Sequence, residues 1–192
     1  MTRPPHHHGN LREALILAGL NMIGEGETLT LRGAATRAGV SHAAPAHHFD
    51  GLNGLRTAIA GRAMQMFVDA LDRAGRDPDQ TPLQQLVDIA LAYCQFAADH
   101  VELFHLMFAS REVDRMDDTV LRATLGAHAQ LTRACAPFVA AGENATEIEH
   151  AAWSMTHGNA VLELQNPLRN LHAPIPGPSL ESQLRRLLNV SD

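Results

Sequence analysis

Side chains able to do acid–base, nucleophilic or metal chemistry are thinly spread in this chain. Beyond residue 75 the candidates are His100, His105, His128, His150 and His157, with Cys94 and Cys135. Their spacing matches no metal-ligand or nucleophile pattern: there is no HExxH, no CxxC, no phosphate-binding glycine loop and no GxSxG. A single histidine on an apolar helical stripe is more often a hydrogen-bonded core residue than a catalyst. Met107 and Phe108 read equally well as ordinary core. No enzyme and no cofactor is expected. Two distant cysteines inside helical patterns make no disulfide framework. His6-His7-His8 could grip a metal ion, but no closed ligand set accompanies them.

The constellation with the clearest physical meaning is a binding one, between Thr28 and Phe49. Leu31, Ala34, Ala35 and Ala38 form one face of a helix over residues 29–38. Gly39 supplies the residue that tolerates positive φ at a helix end, and apolar Val40 fits the angle behind it. Ser41 is suited to cap a second helix over residues 42–48. Helix, short glycine turn and second helix make a helix-turn-helix, a motif whose second helix enters the DNA major groove. His42, Ala43 and Ala44 then occupy the turn that meets base edges. Alanine can touch a thymine methyl, and histidine can donate or accept. Pro45 removes a backbone donor at the fourth helical position and crowds the Ser41 carbonyl, which predicts a short or bent helix.

Three segments carry a family resemblance. Gly39-Val40-Ser41, followed at a fixed distance by His48-Phe49, resembles the N-terminal domain of tetracycline-repressor-type (TetR-family) regulators. His7-His8-Gly9-Asn10-Leu11-Arg12 and the run from Gly39 to Pro45 resemble one branch of that family. Trp153-Ser154-Met155-Thr156-His157-Gly158 resembles the Trp-x-x-x-His-Gly signature of the matching C-terminal domain. The resemblance spans roughly residues 6–165. It implies an all-α, homodimeric repressor whose two heads read a roughly palindromic double-stranded DNA operator and release it on binding a small molecule. His47 matches a position where the family often contacts phosphate. The candidate DNA-facing set is Thr30, Arg32, Arg37, Ser41, His42, Ala43, Ala44, His47 and His48. Two residues depart from the pattern: Ala46 stands where the family usually has an aromatic, commonly tyrosine, and Leu52 where it often has lysine. Their loss weakens backbone contacts. It leaves open a second reading, a helical small-molecule-binding protein of the same fold with weak or lost operator binding.

The positioning elements follow from bulk properties. The 192 residues suffice for one or two compact units. Hydrophobic residues make up 45% and aromatics 4%, with alanine and leucine abundant, which suits helices. No run reaches the length of a membrane span and nothing resembles a signal peptide, so a cytoplasmic location without membrane contact is expected. The net charge of −6 is uneven. Residues 1–62 hold six arginines against four acids, a net of +2; the remainder holds nine against seventeen, a net of −8. A basic head on an acidic body fits DNA binding. Half of the twelve histidines lie in the head, and lysine is absent throughout.

The expected organisation is a DNA-binding domain over residues 1–50, a connecting helix over 51–75 and a ligand-binding and dimerisation domain over 76–192. Helix 1 starts at Asn10, carries Leu11, Ala14, Leu15, Ala18 and Met22, and ends at Gly24 and Gly26. Thr81-Pro82-Leu83-Gln84 is a strong helix start. Its apolar stripe runs to Val101. Asp117-Asp118 opens a helix with Leu121, Leu125, His128, Thr132, Cys135 and Val139 as its stripe, and Asn144 with Glu147 caps the next. Residues 170–178 form a proline-rich loop, and residues 179–188 a closing helix. Ala152, Met155, Asn159 and Leu162, with Leu184, Leu187 and Leu188, are the expected dimer seam. A pocket for an apolar or aromatic effector is expected among Tyr93, Phe96, His100, Phe104, Met107, Phe108, Leu125, His128, Trp153 and His157. These residues include the only tryptophan and tyrosine and three of six phenylalanines. Their faces carry no arginine or lysine to hold a phosphate.

Overall fold

The computed structural model describes residues 8–140, 144–166 and 178–190, with side chains from residue 11 onward. His6, His7 and the expected loop as far as residue 177 lie outside the described residues. The fold is all-α: eight α-helices and two short 3₁₀ turns, with no strand among the described residues. The helices are α1 (His8–Gly24), α2 (Leu31–Arg37), α3 (Gly51–Ala74), α4 (Pro82–Asp99), α5 (Val101–Phe108), α6 (Asp118–Cys135), α7 (Ala145–Gln165) and α8 (Leu180–Leu187). None, as described, is long and apolar enough to cross a membrane. The chain divides into two compact units, Met1–Met64 with Glu102–Arg122, and Gln65–Val101 with Ala123–Asp192.

In the first unit α1 packs against α2. Leu15, Ile16, Ala18 and Met22 of α1 are buried, as are Ala34 and Ala35 of α2. Helix α1 starts at His8, two residues before Asn10. It ends at Gly24, and Gly26 follows with φ +74°. Gly19 admits the close approach of α3: a Cβ there would stand 2.4 Å from the Ile59 Cδ1 methyl. Ala60, Val113 and Val120 form a small core with Leu106 against it. The Asp114 backbone N–H donates to the buried Thr57 hydroxyl at 3.0 Å. Leu103, Phe104 and Met107 of α5 are buried.

The second unit starts from the expected cap. Thr81 Oγ1 accepts from Gln84 N at 3.3 Å and Gln84 Oε1 from Thr81 N at 3.0 Å, a reciprocal capping box. Asn144 and Ser179 cap α7 and α8 with one side-chain bond each, accepting from Thr146 N at 3.2 Å and Ser182 N at 3.1 Å. Helix α8 packs on α4 and α7. Leu83, Leu86, Val87, Ala90, Tyr93 and Ala97 are buried on α4. Its stripe does not run on through Val101: His100 leaves helical geometry, with φ −132° and ψ 49°, and α5 begins afresh.

Two expected faces are corrected. On α6 the buried residues are Val120, Ala123, Gln130, Ala134 and Cys135, whereas Leu125 is 56% exposed and His128 and Thr132 are also exposed. Residues 123, 130 and 134 share one face of the helix and residues 125, 128 and 132 the opposite one, and packing covers the first, where the Gln130 amide donates to Asp72 Oδ1 at 2.7 Å. Of the residues expected in the dimer seam, Ala152 and Leu184 are buried within the chain itself, and Asn159 exchanges hydrogen bonds with Gln183 at 3.2 and 3.3 Å. Leu162 alone of that seam is exposed.

Candidate functional site

The helix-turn-helix is built from local hydrogen bonds. Thr30 caps α2, its hydroxyl accepting from Gly33 N at 2.9 Å. After Arg37 the chain closes a Schellman motif: Val40 N donates to Ala35 O at 3.0 Å and Gly39 N to Thr36 O at 3.1 Å. Gly39 holds φ +69° there. The second element is not the expected α-helix over residues 42–48 but a four-residue 3₁₀ turn, Ala44–His47. Ser41 does not cap it; Ala43 takes that place with no side-chain bond. Proline explains the change, because Pro45 brings no N–H and crowds the preceding turn. Its carbonyl instead accepts from both His48 N and Phe49 N at 3.0 Å, and the ring is buried.

This geometry sorts the candidate residues. Ala44 is buried and faces inward. Thr30, Arg32, Arg37, Ser41, His42, Ala43 and His47 are exposed, and His48 is half-buried with its ring edge-on to Phe49. Ala46 is exposed and Leu52 half-buried. His42 is tethered to α2: its Nε2 lies 3.1 Å from the Thr36 hydroxyl. Arg37 is engaged within the protein, its Nη2 donating to Glu25 Oε2 at 2.7 Å and Glu27 Oε1 at 2.9 Å. That hydrogen bond holds the Glu25 carboxyl below its ordinary range and raises the guanidinium of Arg37. Arg12 stacks over the Phe49 ring at 5.3 Å, Arg56 pairs with Glu112 at 3.1 Å, and Arg62 with Glu13 at 3.1 Å. Among the described residues up to 62, Arg32 is the arginine not engaged by a carboxylate or a ring. The Arg37 fork was legible only as acids and a base ten and twelve residues apart, a spacing with no helical meaning.

The expected effector residues are divided between the two units. Phe104, Met107 and Phe108 belong to the first unit, where the Phe104 and Phe108 rings lie tilted and 4.7 Å apart. The other seven belong to the second. There Tyr93 Oη and His157 Nδ1 are hydrogen-bonded at 2.7 Å, joining α4 to α7. The Trp153 ring lies 5.8 Å from that of His157, one turn away on the same helix. Burial pushes the Tyr93 phenol up, with a hydrogen bond to Trp153 pulling the other way. Burial pushes the His157 imidazole down, which favours its neutral form. Trp153 remains 40% exposed. Nothing lies within 4 Å of a Cβ built on Gly158, so a tight helix approach is not its role among the described residues. Phe67 packs edge-on against Tyr93 and Phe96, at 4.8 and 5.3 Å. Exposed His128 faces the buried Glu149 carboxylate at 3.8 Å. Burial raises the Cys94 and Cys135 thiols to about 11, which leaves them protonated and unreactive near neutrality.

A cleft of 340 Å³ opens in the second unit between α3 and α4. It takes in Phe96 and His100 of the expected set, and sequence reasoning missed the rest of its lining: Met66, Asp69, Ala70, Arg73, Ala92, Gln95 and Asp99. The signal was available as helical spacing, since residues 66, 69, 70 and 73 share one face of α3 and residues 92, 95, 96 and 99 one face of α4. Phe96 and His100 lie with their rings tilted and 4.6 Å apart on its wall. The groups present suit an apolar body with a polar or charged tip. Among the described residues no three histidine, cysteine or acidic side chains converge to hold a metal.

Comparison with known proteins places this architecture. A protein of unknown function from Rhodococcus sp. RHA1 shares the fold with a TM-score of 0.74 and 26% identity, covering 97% of this chain and 96% of its own. A possible TetR-family transcriptional regulator from Streptomyces coelicolor A3(2) superposes with a TM-score of 0.55 at 20% identity, over 91% of this chain and 79% of that one. A TetR variant from Acinetobacter baumannii AYE, in complex with minocycline, gives 0.61 at 18% identity, over 93% and 90%. No curated protein matches the sequence at a significant level. The family model for the tetracyclin repressor-like C-terminal domain matches residues 86–187, more than half of the sequence. With that domain carried behind an N-terminal helix-turn-helix in a TetR-type all-α fold, the chain belongs to the tetracyclin repressor-like family.

Proposed function

We propose that this chain is a ligand-responsive DNA-binding transcriptional regulator, a repressor released from a palindromic operator by a small molecule with an apolar or aromatic body. The observation that carries the reading is the helix-turn-helix itself. A capped α2, a Schellman turn at Gly39 and an exposed edge of Arg32, His42, Ala43 and His47 give the shape and donors that meet a phosphate backbone and base edges. Reading two half-sites requires two heads on a two-fold axis, hence a homodimer. The cleft at Phe96 and His100 and the Tyr93–Trp153–His157 cluster are the proposed effector-responsive region, and the minocycline complex of the Acinetobacter relative supports effector binding in this fold. Release is a linkage effect: the effector binds the released state more tightly than the DNA-bound one. The proposed domains are residues 1–50 for DNA, 51–75 as connector and 76–192 for ligand and dimer.

Selection of bound fragments from the source genome tests the reading. Enrichment of one inverted-repeat sequence is expected. A second reading, a helical ligand-binding protein with weak operator affinity, is favoured by the engagement of Arg37 with Glu25 and Glu27 and by Ala46 and Leu52. Recovery of no enriched fragment, together with saturable binding of a small apolar ligand, would select it.

A further inference from the structure

We infer that Glu25 and Glu27 restrain sequence-independent DNA binding by this chain, holding Arg37 on the protein so that Arg32 is the arginine of α2 that meets phosphate. The inference rests on the DNA-binding reading above. It concerns how strongly the head grips any duplex, not which bases it reads. Arg32, Thr36 and Arg37 are the exposed residues of α2. Two arginines on one solvent face would ordinarily both serve as phosphate contacts. Here Arg37 Nη2 donates to Glu25 Oε2 at 2.7 Å and to Glu27 Oε1 at 2.9 Å. Lysine is absent from the sequence, so no other permanent cation stands in for it.

Two glycine turns build this fork. At the end of α1, Glu27 N donates to Met22 O at 2.8 Å and Gly26 N to Ile23 O at 2.9 Å, a Schellman closure with Gly26 at φ +74°. Glu25 and Glu27 thus flank the turn residue, and both reach one nitrogen of Arg37. The Gly39 turn ends α2 two residues beyond Arg37, which sits in the last turn of the helix. Exposed ion pairs of this kind add little to folding stability. Their consequence is for charge. One guanidinium against two carboxylates leaves the fork with a net charge of −1. For Arg37 to reach a phosphate it must leave both acids. Two uncompensated negative charges would then stand beside the incoming backbone, and like-charge repulsion opposes the exchange. The hydrogen bond from Arg37 holds the Glu25 carboxyl below its ordinary range, so that acid stays ionised near neutrality.

The test is fluorescence anisotropy with a random-sequence duplex of roughly thirty base pairs, titrated over a range of salt. Glu25→Gln/Glu27→Gln should bind roughly tenfold more tightly than the parent at about 0.1 M salt, with a log–log salt slope steeper by about 1, one further phosphate neutralised. Adding Arg37→Gln to that variant should return the slope to the parent's. Helical circular dichroism unchanged from the parent shows that each variant folds. Arg37→Gln alone, compared with Arg32→Ala, probes the same point with both acids in place: the first should leave the slope unchanged and the second reduce it by about 1. Three results overturn the inference while leaving the DNA-binding reading standing. These are a slope reduced as much by Arg37→Gln as by Arg32→Ala, parent-like binding by Glu25→Gln/Glu27→Gln, or a gain that persists when Arg37→Gln is added. No salt-dependent binding by the parent overturns the DNA-binding reading, and this inference with it.

Discussion

Arg32 and His157 show how differently single residues are determined. Arg32 is exposed on α2 and free to reach a phosphate. Arg32→Ala should weaken binding to every DNA sequence alike and reduce the salt slope by about 1, as read from titrations at several salt concentrations. A His42→Gln change should alter base preference instead, visible in a repeat of the fragment selection. His157 acts inside the protein. Its pKa is lowered by burial, so the neutral form is the one the fold accommodates. Its stabilising contribution is present above the unfolded-state value of about 6.5 and is lost as pH falls through the folded value. Thermal midpoints should therefore drop on acidification below that value, and drop less in His157→Gln. The types of these residues were readable in advance. Their partners were not, because Glu25 and Glu27 meet Arg37, and Tyr93 meets His157, only after distant elements fold together.

Caps and turns are the elements where local sequence decides structure. The Thr81–Gln84 box, Asn144, Ser179 and the Gly39 turn all form where the residue types demand them. Gly39→Ala tests this most sharply. Nothing lies within 4 Å of the added Cβ, so the cost is purely the left-handed backbone, about 1–2 kcal/mol by urea unfolding. Gly39→Asn should cost less. Thr81→Ala should cost about 1 kcal/mol through loss of the cap alone. Which face a helix buries was less legible. Helix α6 offered Leu125 as an apolar anchor, yet tertiary packing turned Ala123, Gln130 and Ala134 inward. The second helix of the DNA-binding motif failed for a nameable reason: Pro45 shortened it to a 3₁₀ turn, as its chemistry warned, while Ser41 lost its cap because the turn starts later.

At the scale of the whole molecule, the all-α class followed from alanine- and leucine-rich periodicity, and the charge asymmetry pointed to an N-terminal head. Periodicity identified apolar faces without saying which face meets which, so the Tyr93–His157 pairing of α4 with α7 became visible only in the fold. A homodimer should elute with twice the 20.8 kDa mass of one chain by light scattering at micromolar concentration. Its interface should bury on the order of 2,000 Å². Leu162, the exposed leucine of the expected seam on α7, is the residue to change, and Leu162→Glu should shift that mass toward one chain.

The central claim is sequence-specific DNA recognition through the helix-turn-helix. The most direct measurement compares, at one fixed salt concentration, the affinity for the selected inverted-repeat fragment with that for a scrambled duplex of equal length. The account predicts a preference of about a thousandfold or more, lost together with base selectivity when the Gly39 turn or His42 is altered. Equal affinity for the two duplexes, or no salt-dependent binding to either, would contradict it.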